Sequence, residues 1–195
     1  MEFTQEQLEK AAESGSAKVA DAFSKLSRSR VSVSVSRADA VPLQESLKRL
    51  NTPKEHSIVV YAQLLEGVPG ASILVLSREN ALVLVDLLNQ QQPGTTGVLK
   101  DIDRSAIKET LNILSNSYMN AISESTNMSI GLGVPGMISP TRFEEILEDL
   151  IEKDAGQDDV AILFNTTLTI TEHEVQADFS LLFNERLATL IKKGE

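Results

Sequence analysis

Residues 105–112 read Ser-Ala-Ile-Lys-Glu-Thr-Leu-Asn, and Pro135 follows after a gap of twenty-two residues. Apolar residues recur around this stretch at steps of three and four, the spacing of one buried helix face. They are Ile107, Leu111, Leu114, Tyr118 and Ile122. At roughly 100° per residue, a polar set falls on the opposite side over successive turns: Ser105, Glu109, Asn112 and Asn116. The stretch therefore predicts a helix that buries one face and presents a carboxylate and a carboxamide, one turn apart, on the other.

The chain on either side of this helix reads as the same series of elements twice. In the first half, a capping-box pattern at Thr4-Gln-Glu-Gln7 opens a predicted helix to about Ser27. The further elements predicted there are a strand at Val31–Val35, a loop with a short helix to about Pro53, a hairpin of residues 57–65 and 71–76 turning at Gly67–Gly70, and a helix from Ser77 to about Asn89.

The second half repeats this order after a segment rich in breakers, Gln90–Gly97. Its predicted elements are a helix over about Asp103–Ser125, a short strand at Met128–Leu132, a helix from the capping box Thr141-Arg-Phe-Glu144 to about Lys153, strands at about 160–171 and 174–183, and a last helix that Asn184 caps and that ends at Lys192 and Lys193. The sequence thus predicts one domain, residues 1–195, of two repeats at about 4–90 and 102–193, with a linker at about 90–101.

Short connections between the predicted strands imply mainly antiparallel pairing, and the amphipathic helices would cover the sheet. The expected fold class is therefore α+β, with one long helix per half packed on the sheet. A chain of 195 residues with 42% hydrophobic residues is large enough for one well-buried core.

Composition and charge narrow the function classes. The net charge of −10 argues against nucleic-acid binding. The chain has no cysteine, which excludes disulfides and thiolate zinc sites, and no apolar run approaches the length of a membrane span. We expect a cytoplasmic protein. His56 and His173 lack ligand spacing, and the glycine-rich residues 131–136 lack the Lys-Ser/Thr of a phosphate loop, so neither predicts a site.

The spacing of Ser105, Glu109, Asn112 and the distant Pro135 resembles the active-site signature of the CheC family of chemotaxis phosphatases. That signature is Asp or Ser, three residues, Glu, two residues, Asn, and a later Pro. The family removes phosphate from the aspartyl-phosphate of the response regulator CheY. The resemblance covers nearly the whole chain, and it implies an internally duplicated, pseudo-two-fold α+β fold and phosphorylated CheY as the partner.

The resemblance also implies roles for individual residues. Asn112 would position a water in line with the P–O bond, and Glu109 would pair with a lysine of the regulator. Ser105 would extend the contact surface, and Pro135 would shape a loop beside the helix. The Mg²⁺ ion would belong to the regulator, since nothing in this sequence forms a dedicated metal site and no cofactor of its own is expected.

The first half carries a degraded copy of the signature. Glu13 stands where Glu109 stands in the second half, but Ser16 takes the place of Asn112. A serine hydroxyl lacks the reach and the planar donor-plus-acceptor pattern of a carboxamide. We therefore expect the second half to hold the working site, with Glu109 and Asn112 as its catalytic residues.

Two alternatives stay open at this point. The chain can be read as an adaptor that captures a receiver domain or the receptor deamidase CheD. Its helix near Thr141 carries an acidic face in the region that lies near the CheD-binding surface in the CheC family: Glu144, Glu145, Glu148, Asp149 and Glu152. A solvated face is the simpler explanation of these charges. The other alternative is a structural component of the flagellar switch, whose members usually carry an added carboxy-terminal domain.

Overall fold

A computed structural model of the chain describes residues 4–65, 70–126, 130–152 and 160–184. The elements are α1 (Gln5–Ser27), β1 (Val31–Pro42), α2 (Leu43–Lys48), β2 (Ile58–Gln63), β3 (Gly70–Leu76), α3 (Arg78–Leu88), α4 (Asp101–Thr126), β4 (Gly136–Ile138), α5 (Phe143–Glu152), β5 (Val160–Ile170) and β6 (Val175–Asn184). Two short 3₁₀ turns lie at Pro140–Arg142 and Thr171–His173.

The strands form a six-stranded sheet in the order β1-β5-β6-β3-β2-β4. Every neighbouring pair is antiparallel. If the two halves are exchanged, β1 takes the place of β4, β2 that of β5 and β3 that of β6, and the sheet order reads the same from the opposite edge. This arrangement confirms the predicted α+β, pseudo-two-fold fold. The residue limits of the two repeats stay a prediction.

Helices cover both faces of the sheet. One buried cluster joins the sheet to α1, α3 and α4, with Phe23, Leu84 and Leu111 among its members. A smaller cluster on the other face joins it to α2 and α5 through Leu43, Phe143 and neighbours. The two long helices, α1 and α4, thus lie on the same face and pack against each other.

Two predicted helix starts are confirmed by their hydrogen bonds. Thr4 Oγ1 accepts from the backbone N–H of Gln7, and the backbone N–H of Thr4 donates to Gln7 Oε1, which completes the capping box. Ser77 Oγ accepts from the backbone N–H of Asn80 and caps α3. These bonds satisfy amides that the first turn of a helix otherwise leaves unpaired.

Three predicted boundaries are wrong. The first strand does not end at Val35 but runs to Pro42, because a register shift between Val35 and Arg37 breaks the alternation without ending the pairing with β5. Thr141 does not cap a helix. Pro140 already starts a 3₁₀ turn there, so Thr141 lies inside the turn. The Thr141 hydroxyl forms a hydrogen bond with the hydroxyl of Ser139.

The strand predicted at Met128–Leu132 is also corrected. Leu132 forms an isolated bridge with Leu64, and regular pairing begins only at Gly136, in β4. Gly133 and Pro135 explain the interruption, since glycine weakens a strand and proline has no N–H to donate.

Some predictions fall outside the described residues. They are the hairpin turn at residues 67–69, the start of the strand at Met128, the helix end at Lys153 and the last helix after Asn184. In the part of the chain that the structure describes, no helix combines the length and apolar character needed to cross a membrane.

Candidate functional site

Helix α4 carries the predicted site and is fixed to the sheet through Tyr118. The Tyr118 ring packs against Phe164 and Phe179, with centroid distances of 5.8 and 5.4 Å. Its hydroxyl lies 2.8 Å from Thr166 Oγ1. Burial raises the pKa of Tyr118 to about 12, so the phenol stays protonated at neutral pH. This contact fixes the middle of α4.

The other long helix approaches α4 closely at the same point. Gly15 of α1 faces the Tyr118 ring, and a Cβ atom at this position would lie 2.8 Å from Tyr118 Cδ1. Lys18 Nζ lies 2.8 Å from Glu124 Oε1 across the same pair of helices. The glycine therefore permits a separation between α1 and α4 that a larger residue would prevent.

The apolar face of α4 is the one that the sequence predicted. Each of its predicted members is fully buried: Ile107, Leu111, Leu114, Tyr118 and Ile122. On the same side, the buried hydroxyl of Ser115 donates to the Leu111 carbonyl and hydrogen-bonds Ser72 of β3. Because the buried face is fixed against the core, the opposite, polar face of α4 has a fixed orientation toward solvent.

Glu109 and Asn112 meet on this outer face. Glu109 is exposed and Asn112 is partly exposed. Asn112 Nδ2 donates a hydrogen bond of 3.0 Å to Glu109 Oε2. Because an ionised carboxylate can only accept, this bond fixes which way the amide points, with its nitrogen toward Glu109 and its oxygen away from it.

The remaining polar atoms of this pair are available to a visiting molecule. Within the described residues, nothing donates to Asn112 Oδ1, and no Lys, Arg or His forms a salt bridge with Glu109. The second N–H of the Asn112 amide is likewise not used there. The site thus offers one acceptor, one donor and one unpaired negative charge.

The hydroxyl side chains of α4 behave differently. Four of them donate to the backbone carbonyl four residues earlier: Ser105, Thr110, Ser115 and Ser117. Ser105 is exposed and lies one turn before Glu109, as predicted, but its hydroxyl proton is used within the helix. Ser105 can therefore offer a partner its oxygen lone pairs without losing a bond.

Pro135 is half-buried and lies at the edge of the sheet rather than on the helix. It stands between the Leu64–Leu132 bridge and β4. The glycine-rich segment before it pairs with the end of β2, since the amide of Gly133 donates to the Gln63 carbonyl at 2.8 Å. The amide of Gly133 is therefore used in pairing with the end of β2.

The first-half residues occupy a similar position on α1 but make a different contact. Glu13 is exposed and Ser16 is partly exposed. The Ser16 hydroxyl donates to the backbone carbonyl of Glu13, at 2.9 Å, and not to its carboxylate. The side chains of Glu13 and Ser16 therefore do not form the pair that Glu109 and Asn112 form.

The acidic residues of α5 and the two histidines lie apart from this pair along the chain. Glu144, Glu145, Glu148 and Asp149 are exposed on α5, while the side chain of Glu152 lies outside the described set. His56 lies in a turn before β2 and His173 in a 3₁₀ turn between β5 and β6. In the described ranges, no group of three or more His, Asp or Glu side chains is placed to hold a metal ion.

Two features near the start of α4 escaped the sequence analysis. Ile102 is 71% exposed and Val98 is 69% exposed, although both are apolar. The buried carboxylate of Asp86 accepts backbone N–H groups from Gly94, Thr95 and Thr96 and so orders the segment before the helix. Ile102 lies seven residues before Glu109, and this spacing places both residues on the same helix face. The apolar pattern of the buried face obscured this signal in the sequence.

Among known proteins, the chain is similar to CheC1 of Halobacterium salinarum, which is named provisionally as a CheY-P phosphatase. The two are 23% identical over 167 residues, or 85% of this chain and 83% of the relative. No family model matches the chain.

Similar folds occur among solved structures. FliY of Thermotoga maritima superposes with a TM-score of 0.67 at 17% identity, over 99% of this chain and 97% of its own. The middle domain of FliM from Vibrio alginolyticus gives 0.62 at 13%, over 96% and 98%. A CheC-like superfamily protein from Shewanella sp. PV-4 gives 0.57 at 7%, over 93% and 99%. Together these similarities confirm the predicted resemblance to CheC-like proteins, and the structural ones bear on the fold alone.

Proposed function

We propose that this CheC-like protein is a phosphatase that hydrolyses the aspartyl-phosphate of a CheY-type response regulator. The observation that supports the proposal most is the hydrogen bond between Asn112 and Glu109 on an accessible helix face. It orients a carboxamide whose oxygen stays free to accept from water. The roles of Glu109 and Asn112, and the identity of the substrate, are parts of this proposal.

In the proposed reaction, Asn112 positions the nucleophile. Its Oδ1 accepts a hydrogen bond from a water that lies in line with the bond between phosphorus and the aspartyl oxygen. The water oxygen attacks phosphorus, the bond between phosphorus and the aspartyl oxygen breaks, and the carboxylate leaves as an anion. Both protons of the water end on the inorganic phosphate. The free N–H of the Asn112 amide donates to a phosphoryl oxygen. Since an acyl phosphate is already reactive, correct placement of the water supplies most of the acceleration.

Glu109 acts on the partner rather than on the water. Its second carboxylate oxygen is available to a lysine of the regulator, and such a charge-assisted bond would fix the register of α4 on the regulator. The Mg²⁺ ion of the reaction belongs to the regulator in this proposal. Ser105 extends the contact surface, and Pro135 shapes the segment between the Leu64–Leu132 bridge and β4. We place the encounter in the cytoplasm.

Catalytic amounts of the protein mixed with pre-phosphorylated CheY test the proposal directly. We expect many turnovers for the wild type, and their loss in Asn112→Ala. The matched control is Asn120→Ala, because Asn120 is an exposed asparagine of α4 about 12 Å further along the helix. Equal turnover in Asn112→Ala and the wild type would refute the assignment.

An adaptor that sequesters CheY or CheD is the alternative, and the exposed acidic face of α5 favours it. Of these charges Glu145 pairs with Arg142, at 2.9 Å. An adaptor would give effects that saturate at one equivalent of protein instead of repeated turnover. A structural component of the flagellar switch is a third candidate, since the middle domain of FliM has a similar fold, and it too predicts no turnover.

A further inference from the structure

The exposed apolar side chains at the start of α4 extend the proposed site. Ile102 is 71% exposed and lies seven residues before Glu109. Seven residues correspond to about two helical turns, so Ile102 lies within about 20° of Glu109 around the helix and about 10 Å away along it. Val98, 69% exposed, precedes the helix at the same end.

This apolar pair is held rigidly and does not belong to a loosely attached loop. Asp103 is buried, and its Oδ2 accepts the backbone N–H of Lys100 at 2.8 Å. Its Oδ1 lies 3.4 Å from Asn89 Nδ2. Leu99, which lies between these two residues in the sequence, packs against the buried cluster that joins the sheet to α1, α3 and α4. The local structure thus turns Leu99 and Asp103 inward and leaves Val98 and Ile102 outside.

The segment before the pair is ordered as well. Asp86 is fully buried and binds three successive backbone amides of residues 94–96, at 2.8–3.0 Å. An apolar surface displayed on a rigid base loses little conformational entropy on binding. Large apolar side chains that stay exposed near a polar helix face are a feature of interaction surfaces.

We propose that Ile102 and Val98 dock into an apolar depression of the phosphorylated receiver, about 10 Å from the cation that pairs with Glu109. The inference rests on the proposed function and names the partner's surface chemistry. One continuous face of α4 then contacts the partner at two points, through a charge pair at Glu109 and an apolar contact at Ile102. Ile102 acts as a specificity residue and has no part in the chemical step.

Steady-state kinetics on phosphorylated CheY separate these roles. Ile102→Ser should raise KM about tenfold, the effect of losing a partly buried apolar side chain, and leave kcat unchanged. Val98→Ser should act in the same direction. Because both side chains are exposed in the free protein, these variants should fold normally.

The matched control is Leu65→Ser. Leu65 is 49% exposed. Its backbone N–H donates a hydrogen bond to the carbonyl of Gly131, which lies five residues beyond the end of α4. The 26 residues of α4 span about 39 Å, which places Leu65 toward the opposite end of the helix. This variant should leave KM and kcat unchanged.

Titration with CheY activated by beryllofluoride, a stable phosphoryl mimic, gives a readout independent of hydrolysis. Ile102→Ser should weaken this binding by the same factor as it raises KM. An unchanged KM and unchanged titration would overturn the inference even if Asn112→Ala is inactive. If the wild type shows no turnover, the proposed phosphatase function falls. Weaker binding by Ile102→Ser would then still support the docking surface, whereas equal or absent binding would overturn it.

Discussion

The side-chain amide nitrogen of Asn112 lies 3.0 Å from Glu109 Oε2, one turn earlier on the same helix face. The bond joins a neutral donor to a charged acceptor, which makes it stronger than a bond between two neutral groups. It forms in the free protein, so the orientation of the carboxamide does not have to be established when a partner arrives. In the proposed reaction this orientation aims Asn112 Oδ1 at the attacking water.

Glu109→Gln should lower kcat/KM by about tenfold, since the variant loses the charge that would pair with the partner's lysine. A glutamine can also donate to the Asn112 amide oxygen, so the carboxamide orientation is no longer unique. The measurement is turnover of phosphorylated CheY at low and high salt. The wild-type kcat/KM should fall more steeply with ionic strength than that of the variant.

Glu172→Gln makes the same change in net charge at an exposed position in the turn between β5 and β6. It should behave as the wild type. Equal salt dependence in all three proteins would show that Glu109 carries no interfacial charge pair.

The sequence predicted an element correctly wherever the pattern that defines it lies within a few neighbouring residues. The three- and four-residue steps of α4 gave its buried face, and the Thr4 and Ser77 signals gave two helix starts. It failed where a local rule is overridden by neighbours. The irregularity after Val35 hid the second part of β1, and Pro140 displaced the helix start from Thr141.

The candidate site shows the same division. Helical spacing was sufficient to place Glu109 and Asn112 on one accessible face. The hydrogen bond between them, and the inward turn of Leu99 that exposes Ile102, depend on side-chain rotamers and packing. No spacing rule contains that information. The catalytic roles of Glu109 and Asn112 stay predictions.

Ser16→Ala should leave turnover within about twofold of the wild type. The Ser16 hydroxyl donates to the Glu13 carbonyl within α1, so its loss removes a local backbone contact and no oriented carboxamide. The assay is the same steady-state hydrolysis of phosphorylated CheY. A loss as large as that of Asn112→Ala would mean that the first half also takes part in the reaction.

Gly15→Ala should destabilise the fold by about 1–2 kcal/mol. Alanine favours a helix by up to about 1 kcal/mol over glycine, but overpacking a core costs about 1–3 kcal/mol or more. The overpacking dominates here because the new Cβ would lie 2.8 Å from the Tyr118 ring. The ring cannot easily retreat, since it packs against Phe164 and Phe179.

Urea denaturation at neutral pH measures this difference. Gly97→Ala is the matched control, because a Cβ at Gly97 would meet no atom within 4 Å. It should leave the free energy of unfolding nearly unchanged. A Gly15→Ala variant more stable than the wild type would show that α1 and α4 can separate without loss.

Tyr118→Phe should change how stability depends on alkaline pH. The folded-state pKa of Tyr118 is raised to about 12, and an unfolded tyrosine titrates near 10. A raised pKa means that the folded state holds the proton more tightly. The stabilisation is therefore complete below pH 10 and is lost as pH rises toward 12, at up to about 1.4 kcal/mol per pH unit. Phenylalanine has no proton to lose.

At pH 8 the variant should be less stable by about 1–2 kcal/mol, because Thr166, which is 2% exposed, loses its hydroxyl partner. Above pH 10 the folded wild-type protein keeps a proton that its unfolded chain releases, so its free energy of unfolding falls with pH and that of the variant does not. The difference between the two proteins should therefore shrink and vanish near pH 11. Urea denaturation of both proteins at steps from pH 8 to 11 follows this convergence, and the titrations of lysine and arginine cancel between them. A difference that stays constant over this range would mean that the phenol is not buried against Thr166 and that α4 is anchored in another way.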